Sequence, residues 1–326
     1  MNKMLMLYNP KSGSGKIRTM IADLVEKFTA SGWTVTLYPT QAPGDAIRYL
    51  QENGRDYDRI VVSGGDGILH EAINGLQKID FSVPLGYLPS GTVNDFANSH
   101  RIPSDILQAA DLIEDNEPVL VDVGRFNDEY FSYIAACGVS THVSYTTSQL
   151  DKKRFGPLAY IVNGLNTVDF KHWENNCVKM KVTWQDGQAE GDFLFASFSN
   201  TLFIGGMNSL VIDGASFVDG ILEGLLIKRP MNLYELHLIA SGILKHDFSS
   251  DFFIQASSSW FEIESEPADW TLDGEYGGST THTRIEALQK KLPLIRRPLS
   301  LSMITLDLAK EEIQNEIAVI EKELND

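Results

Sequence analysis

Short apolar runs alternate with helix-periodic stretches over the first 124 residues of the chain. Apolar positions from Ile17 to Phe28 recur every three or four residues, which predicts an amphipathic helix ending near Ser31 and Gly32. Similar patterns predict helices at Asp45–Glu52, Ile68–Leu76 and Asp105–Glu114, and strands at Met4–Tyr8, Thr34–Tyr38, Arg59–Ser63, Pro84–Leu88 and Val119–Val123. The order βαβαβαβ is typical of a parallel sheet with crossover helices.

Beyond residue 124 the pattern changes to alternating, β-rich runs separated by Gly, Asn and Asp, which predicts an antiparallel sheet or sandwich. The predicted strands are Tyr130–Ala136, Val178–Trp184, Asp192–Ser199, Gly224–Lys228 and Phe252–Ala256. Helical patches interrupt them at Tyr160–Asn166 and Leu233–Leu244. Near the end, Ile313, Ile317, Ile320 and Leu324 predict a further amphipathic helix.

The length of 326 residues favours two domains, at about 100–200 residues per domain. We expect an α/β plus β chain: an α/β domain at 1–124, an antiparallel β-sandwich domain at 125–300, and a C-terminal helix at 301–326 that returns to the first domain.

Acidic residues exceed basic ones by 44 to 27, a net charge of −17, which argues against nucleic acid as a partner because phosphates require a cationic surface. Cys137 and Cys177 form neither a metal-ligand cluster nor a disulfide framework, which favours a reducing cytoplasm. No uninterrupted apolar stretch approaches the ~20 residues that span a bilayer. We therefore expect any membrane contact to be peripheral.

Three glycine-containing turns each follow a predicted strand: Asn9–Lys16 (NPKSGSGK), Ser63–Gly67 (SGGDG) and Pro89–Asp95 (PSGTVND). Ligands of an open parallel sheet bind outside the carboxyl ends of its strands, so the turns should converge on one crevice. Glycines let a phosphate approach the backbone, and amides at a helix N-terminus attract it. The first turn fits neither a Walker A loop nor a dinucleotide fingerprint. Together the turns predict a cradle for nucleotide phosphates.

NPKSG, SGGDG and PSGTVNDFA, followed much later by LDGE at Leu272–Glu275, resemble the bacterial soluble diacylglycerol kinase and lipid kinase family. The resemblance spans nearly the whole chain. This family is related to eukaryotic diacylglycerol, sphingosine and ceramide kinases, and NAD kinases share its GGDG turn. The resemblance implies a phosphofructokinase-like nucleotide domain, a β-sandwich domain and a catalytic cleft between them.

The resemblance also implies contacts to ATP at Asn9, Pro10, Ser12, Gly13, Thr40, Gly65, Asp66, Gly67, Glu71, Thr92 and Asp95. Small and hydroxylated residues let amides and side-chain donors surround phosphates, and Asp66 and Asp95 are candidates to hold a catalytic Mg²⁺. The chain departs from the family after GGDG, where Thr-Leu-Asn-Glu is usual and Ile68-Leu69-His70-Glu71 stands. We interpret His70 as a substituted polar contact rather than a base.

Phosphoryl transfer to a hydroxyl needs a nearby carboxylate to orient it and accept its proton. The family pattern assigns catalysis to Asp273 and Glu275. Of the two, Glu275 is the favoured acceptor, with Asp273 positioning metal, water or hydroxyl. As plain sequence, Asp-Gly is also a favoured hairpin turn. The run Ala215–Leu222 resembles the family's structural Mg²⁺ loop, with the Asp219 side chain and the carbonyls of Ser216 and Ile221 as ligands.

The leading hypothesis is an ATP- and Mg²⁺-dependent lipid kinase that converts diacylglycerol to phosphatidic acid. A kinase for another lipid, an NAD kinase-like enzyme and a non-catalytic nucleotide-binding regulator are the alternatives. The expected partners are ATP and a lipid presented at a membrane surface, and because family members commonly form dimers a homodimer is a further candidate. The expected location is cytoplasmic, with transient contact at the inner face of the membrane.

Overall fold

The computed structural model describes residues 2–12, 15–92, 94–138, 177–201 and 216–298. The helices within these ranges are α1 (Lys16–Ala30), α2 (Asp45–Asn53), α3 (Asp66–Gln77), α4 (Asp95–Ser99), α5 (Ile106–Asp115) and α6 (Leu233–Leu244). The strands are β1 (Asn2–Tyr8), β2 (Trp33–Pro39), β3 (Arg59–Gly64), β4 (Leu85–Pro89), β5 (Pro118–Phe126), β6 (Glu129–Phe131), β7 (Ile134–Gly138), β8 (Val178–Trp184), β9 (Gly187–Ser199), β10 (Leu222–Lys228), β11 (Phe253–Ser258), β12 (Trp260–Leu272) and β13 (Glu275–Ile295).

Four parallel strands in the order β4-β3-β1-β2 form one part of the sheet. Their inner residues are apolar, and Met4 to Leu7 of β1 are fully buried. The helices and strands predicted for this part are confirmed, with small shifts at their ends. The short helix α4 is an addition that the apolar pattern does not predict, because five residues are too few to establish a helical period.

The remaining strands are antiparallel, and the long hairpin of β12 and β13 joins the two parts. β13 pairs with β12 and β5, and through Leu294 it also pairs with Leu85 of β4. The thirteen strands of the described residues therefore form one continuous sheet. The pattern predicts neither β12 nor β13, because many of their positions are polar and backbone pairing on both sides holds them.

The run Tyr130–Ala136, predicted as one strand, is instead two strands that break at Ser132 and Tyr133. The other predicted strands, and α6, lie where the pattern places them. Buried apolar residues form two clusters: one runs from the parallel strands to the underside of α6, and the other surrounds Trp270.

The described residues are rich in sheet and mixed α/β in content, as expected. The described residues up to Arg296 form one compact unit. The division at residue 124, which lies within β5, stays a prediction. The helices expected at Tyr160–Asn166 and within 301–326 lie outside the described residues. In the part of the chain that the structure describes, the helices are too short or too polar to cross a membrane.

Candidate active site

The carboxyl ends of the four parallel strands lie side by side and are joined by backbone hydrogen bonds. The amide of Asn9 donates to the carbonyl of Ser63 (3.0 Å), and the amide of Ser90 donates to Gly64 (2.8 Å). Thr40, which follows β2, donates from its amide to β1. The three glycine turns therefore meet at one edge of the sheet, as the strand order requires.

The second and third turns are in backbone contact. A Cβ built on Gly91 would lie 2.6 Å from the Cα of Gly65, so Gly91 cannot take a side chain without a shift. Ser12, in the first turn, donates weakly from its Oγ to the carbonyl of Ser90 (3.5 Å). The result is a floor of backbone and small residues that a phosphate could approach closely.

Asp66 begins α3 at the edge of this floor. Its Oδ1 is buried and has no hydrogen-bond partner among the described residues. Burial, together with the charges of Asp95 and Asp273, raises the pKa of Asp66 to about 7. An uncompensated carboxylate of this kind is a suitable ligand for a hard cation.

The β12–β13 hairpin turns through Asp273 and Gly274, which have φ values of +53° and +84°. Two positive φ values in a two-residue loop are typical of a type I′ turn, so the hairpin that the Asp-Gly pair predicts is present. The carboxylate of Asp273 accepts hydrogen bonds from the amides of Ser132 (2.7 Å) and Tyr133 (2.9 Å). Its side chain is fully shielded from solvent.

His70 of α3 supplies a further partner to the same carboxylate. Its Nδ1 lies 3.1 Å from Oδ2 of Asp273, as expected for a substituted polar contact. Burial lowers the pKa of His70, but the hydrogen bond and charge of Asp273, with smaller contributions from Glu129 and Glu275, outweigh it and raise the pKa above its usual value.

Glu275 is exposed and lies against the first turn of α3. A Cβ built on Gly67 would lie 2.5 Å from Oε1 of Glu275, so glycine at this position makes room for the carboxylate. Both residues border a cleft of about 680 Å³. The cleft is also lined by Asn9, Lys11, Thr40, Gln41, Ala42, Pro43, Ile47, Ile68, His70, Glu71, Asn74, Lys78, Asp128, Glu129 and Tyr276.

Glu71 is engaged with backbone amides. Its two carboxylate oxygens accept hydrogen bonds from the amides of Gly44 (2.9 Å) and Ala46 (3.1 Å) at the start of α2. Ile68, which replaces the hydroxyl residue usual in the family, is buried, and its Cγ2 lies 2.2 Å from where a Cβ of Gly64 would stand. Ile68 is thus accommodated by packing against a glycine.

The other predicted ATP contacts that the structure describes do not line this cleft and lie in the turns at the same edge of the sheet. Pro10 and Ser12 are in the turn after β1, Gly65 follows β3, Thr92 is exposed, and Asp95 is buried at the start of α4. Gly13 lies outside the described residues.

The predicted metal loop, with Ser216, Asp219 and Ile221, lies in a second acidic region. Asp122 accepts hydrogen bonds from the amide of Gly220 (2.7 Å), and Asp219 accepts one from the amide of Ile221 (3.0 Å). Burial and the charge of Asp219 raise the pKa of Glu223 to about 8. In the part of the chain that the structure describes, no group of three or more His, Cys, Asp or Glu side chains is arranged to hold a metal by itself.

The sequence interpretation did not identify Lys11, Lys78 and Asn74 as cleft residues. The two lysines place positive charge at the cleft. Asn74 could have been found from its spacing, because Asp66, His70 and Asn74 follow one another at intervals of four residues on one face of α3.

The family model of the diacylglycerol kinase catalytic domain matches residues 3–126. A diacylglycerol kinase of Staphylococcus carnosus (strain TM300) is 35% identical over 279 residues, which cover 83% of this chain and 88% of that protein. A diacylglycerol kinase of Bacillus subtilis (strain 168) is 30% identical over 85% of this chain and 91% of its own length. A solved structure of a proposed diacylglycerol kinase from Bacillus anthracis str. Sterne has a TM-score of 0.77 at 27% identity, covering 91% of this chain and 98% of that one.

Replacement of Asp66 with Asn should stabilise the metal-free protein at alkaline pH. Because the folded-state pKa of Asp66 is raised to about 7, the folded protein loses stability as the pH rises from the unfolded value toward 7. In chelating buffer we expect the free energy of unfolding of Asp66→Asn to exceed that of the native protein by roughly 2–4 kcal/mol near pH 8 and to match it near pH 4. Urea denaturation near pH 8 and near pH 4 measures the free energy of unfolding of each protein. The exposed Asp186→Asn serves as the control. Equal free energies of unfolding for Asp66→Asn and the native protein near pH 8 would contradict the raised pKa of Asp66.

Proposed function

The chain belongs to the diacylglycerol kinase family and is a lipid kinase, and on this premise we propose that it transfers the γ-phosphoryl group of ATP to the hydroxyl of diacylglycerol, giving phosphatidic acid. The observation that carries the proposal is the position of Glu275 against Gly67. At this position the carboxylate of Glu275, from the antiparallel part of the sheet, lies beside a glycine turn of the kind that binds phosphates. The names of the relatives support diacylglycerol as acceptor.

In this proposal Glu275 accepts the proton of the lipid hydroxyl. It is exposed and borders the cleft, which leaves its carboxylate accessible to substrate. The oxygens of Asp273 are instead occupied by backbone amides and His70. Asp273 therefore fixes the turn that carries Glu275, and Glu275 acts as general base.

The phosphates of ATP would lie on the glycine floor. The hydroxyls of Ser12, Thr40 and Thr92 are suitable donors to phosphate oxygens. Lys11 and Lys78 line the cleft and would balance part of the phosphate charge.

A Mg²⁺ ion fits this site at Asp66, with Asp95 nearby, because the buried Oδ1 of Asp66 has no partner among the described residues and its pKa is raised. Mg²⁺ commonly uses one or two carboxylates and completes its coordination with water and substrate phosphates. When bound, the ion would neutralise charge that develops on the phosphates during transfer.

A second Mg²⁺ fits the loop that contains Asp219. Asp219 would supply its carboxylate, and Ser216 and Ile221 would supply backbone carbonyls, which are hard oxygen ligands. The raised pKa values of Asp122 and Glu223, both caused first by burial and then in part by Asp219, support the presence of a compensating cation. The role of this ion would be structural, because Asp122 also ties the loop to the amide of Lys290 in β13 (2.7 Å).

Contact with a lipid surface would come from α6. Large apolar side chains are exposed on this helix and just before it, including Met231 (71%), Leu233 (64%), Tyr234 (70%) and Leu244 (58%). The exposed Lys228 and Lys245 flank them and would favour anionic headgroups. A peripheral contact of this kind would bring the enzyme to a substrate that stays in the bilayer.

Transfer of labelled phosphate from ATP to lipids in mixed micelles with Mg²⁺ tests the reaction. We expect labelled phosphatidic acid from the native protein and a loss on the order of 100-fold in kcat for Glu275→Gln, because the proton acceptor is removed. The exposed Glu266→Gln, elsewhere in the hairpin, should retain native activity. Label on a lipid other than phosphatidic acid would show that the acceptor is not diacylglycerol. The absence of any labelled lipid with the native protein would contradict the proposal.

Thermal unfolding with and without Mg²⁺, in the absence of nucleotide, tests the second metal site. The thermal midpoint of the native protein should rise by several degrees on addition of Mg²⁺, because a ligand that binds the folded state stabilises it. Asp219→Asn should not respond. Asp66→Asn should respond like the native protein, because the ion at Asp66 depends on nucleotide phosphates. An unchanged response of Asp219→Asn would contradict the assignment.

Co-sedimentation with anionic phospholipid vesicles tests the contact through α6. The double variant Leu233→Ser and Tyr234→Ser should bind at least about tenfold more weakly, because two large apolar side chains no longer enter the lipid. Leu120→Ser removes a leucine of similar exposure (51%) on β5 and should bind like the native protein. Equal loss in both variants would show that α6 is not the contact.

A further inference from the structure

His70 lies between two parts of the active site that must stay together during phosphoryl transfer. It projects from α3, the helix that begins with Asp66 at the glycine floor. Its Nδ1 meets Oδ2 of Asp273 in the hairpin turn at 3.1 Å, and only 12% of the His70 side chain is exposed. The contact is therefore largely shielded from competition with water.

The other hydrogen bonds to the Asp273 carboxylate come from the antiparallel part of the sheet. The amides of Ser132, Tyr133 and Ile134, between β6 and β7, donate to it. Within the described residues, His70 is the side chain that links this carboxylate to α3. Loss of His70 would leave the turn well formed but without a direct side-chain hydrogen bond to α3, whose remaining hydrogen bonds to this region run from Asn74 to Tyr130.

Asn74, one turn further along α3, determines how His70 is presented. Its Nδ2 donates to the carbonyls of His70 (3.0 Å) and Tyr130 (2.8 Å), and its Oδ1 accepts from the amide of Tyr130 (3.0 Å). The same Nδ2 also lies 3.4 Å from Nε2 of His70, a longer contact than the one that Nδ1 makes with Asp273. The strong hydrogen bond of the imidazole is accordingly the one from Nδ1 to Asp273.

We propose that His70 is a positioning residue for the phosphoryl transfer: by donating from Nδ1 to Asp273, it holds the hairpin turn so that Glu275 stays against Gly67. This inference rests on the proposed function. Glu275 follows Asp273 by two residues. Its Oε1 would lie 2.5 Å from a Cβ built on Gly67, so it packs closely against this glycine. A small displacement of the turn would therefore move the proton acceptor away from the phosphates.

Two substitutions of His70 separate positioning from chemistry. Asn places a side-chain N–H donor close to the position of the imidazole Nδ1, whereas Leu fills the volume without a donor. We expect His70→Leu to lower kcat on the order of 100-fold, with the KM for ATP nearly unchanged, because misplacement of a reacting group by about 1 Å has this effect. His70→Asn should recover most of the lost kcat. The exposed His282→Leu on β13 should leave both parameters at native values.

Several results would overturn the inference. Native kcat in His70→Leu would do so, and so would an equal loss in His70→Asn and His70→Leu, which would place the imidazole in the chemistry itself. Circular dichroism and thermal midpoints establish that each variant folds.

A nitrogen NMR spectrum of the native protein gives a readout that needs no activity. We expect a protonated Nδ1 signal at neutral pH that is absent from His70→Asn, and an unprotonated Nδ1 would overturn the inference. If the native protein labels no lipid, the proposed function fails while the spectrum still decides the contact.

Discussion

The burial of the Asp273 carboxylate is the constraint around which the site is arranged. A carboxylate removed from water must regain hydrogen bonds at both oxygens or destabilise the fold by several kcal/mol. Here the amides between β6 and β7 and the imidazole of His70 provide them. Satisfying one buried charge thus brings together a hairpin, a strand connection and the helix of the glycine turn, and Glu275 is carried to the cleft with them.

Much of the part formed by β1 to β4, their helices and the glycine turns can be predicted from the sequence, because the patterns that indicate it involve residues close together in the chain. Apolar periodicity identifies the parallel strands and their helices, and parallel strands bring the turns after them to one edge. Contacts that depend on distant pairing cannot be predicted in this way. The strands β12 and β13 are too polar to stand out, so the sequence does not indicate that Asp273 will reach α3 or that the run Tyr130–Ala136 will break at Ser132.

Single side chains show the same limit. Glu71, a predicted nucleotide contact, lines the cleft, but the motif does not indicate that its carboxylate also holds the start of α2. Ile68 stands where a hydroxyl residue is usual in the family, and the structure shows it buried against Gly64. A motif identifies where the chain is constrained, whereas the surrounding packing determines whether a side chain faces the ligand or the protein.

The pairing of Leu294 with Leu85 also affects how this protein can be divided for study. All residues of β4 are buried, and Leu294 of β13, from the last third of the chain, pairs with Leu85 at its outer edge. A fragment that ends near residue 124 would leave the backbone groups at this edge of β4 unpaired. Unpaired edges of this kind recruit strands from other molecules. Truncated versions that retain the glycine turns alone are thus expected to self-associate rather than serve as minimal nucleotide-binding units.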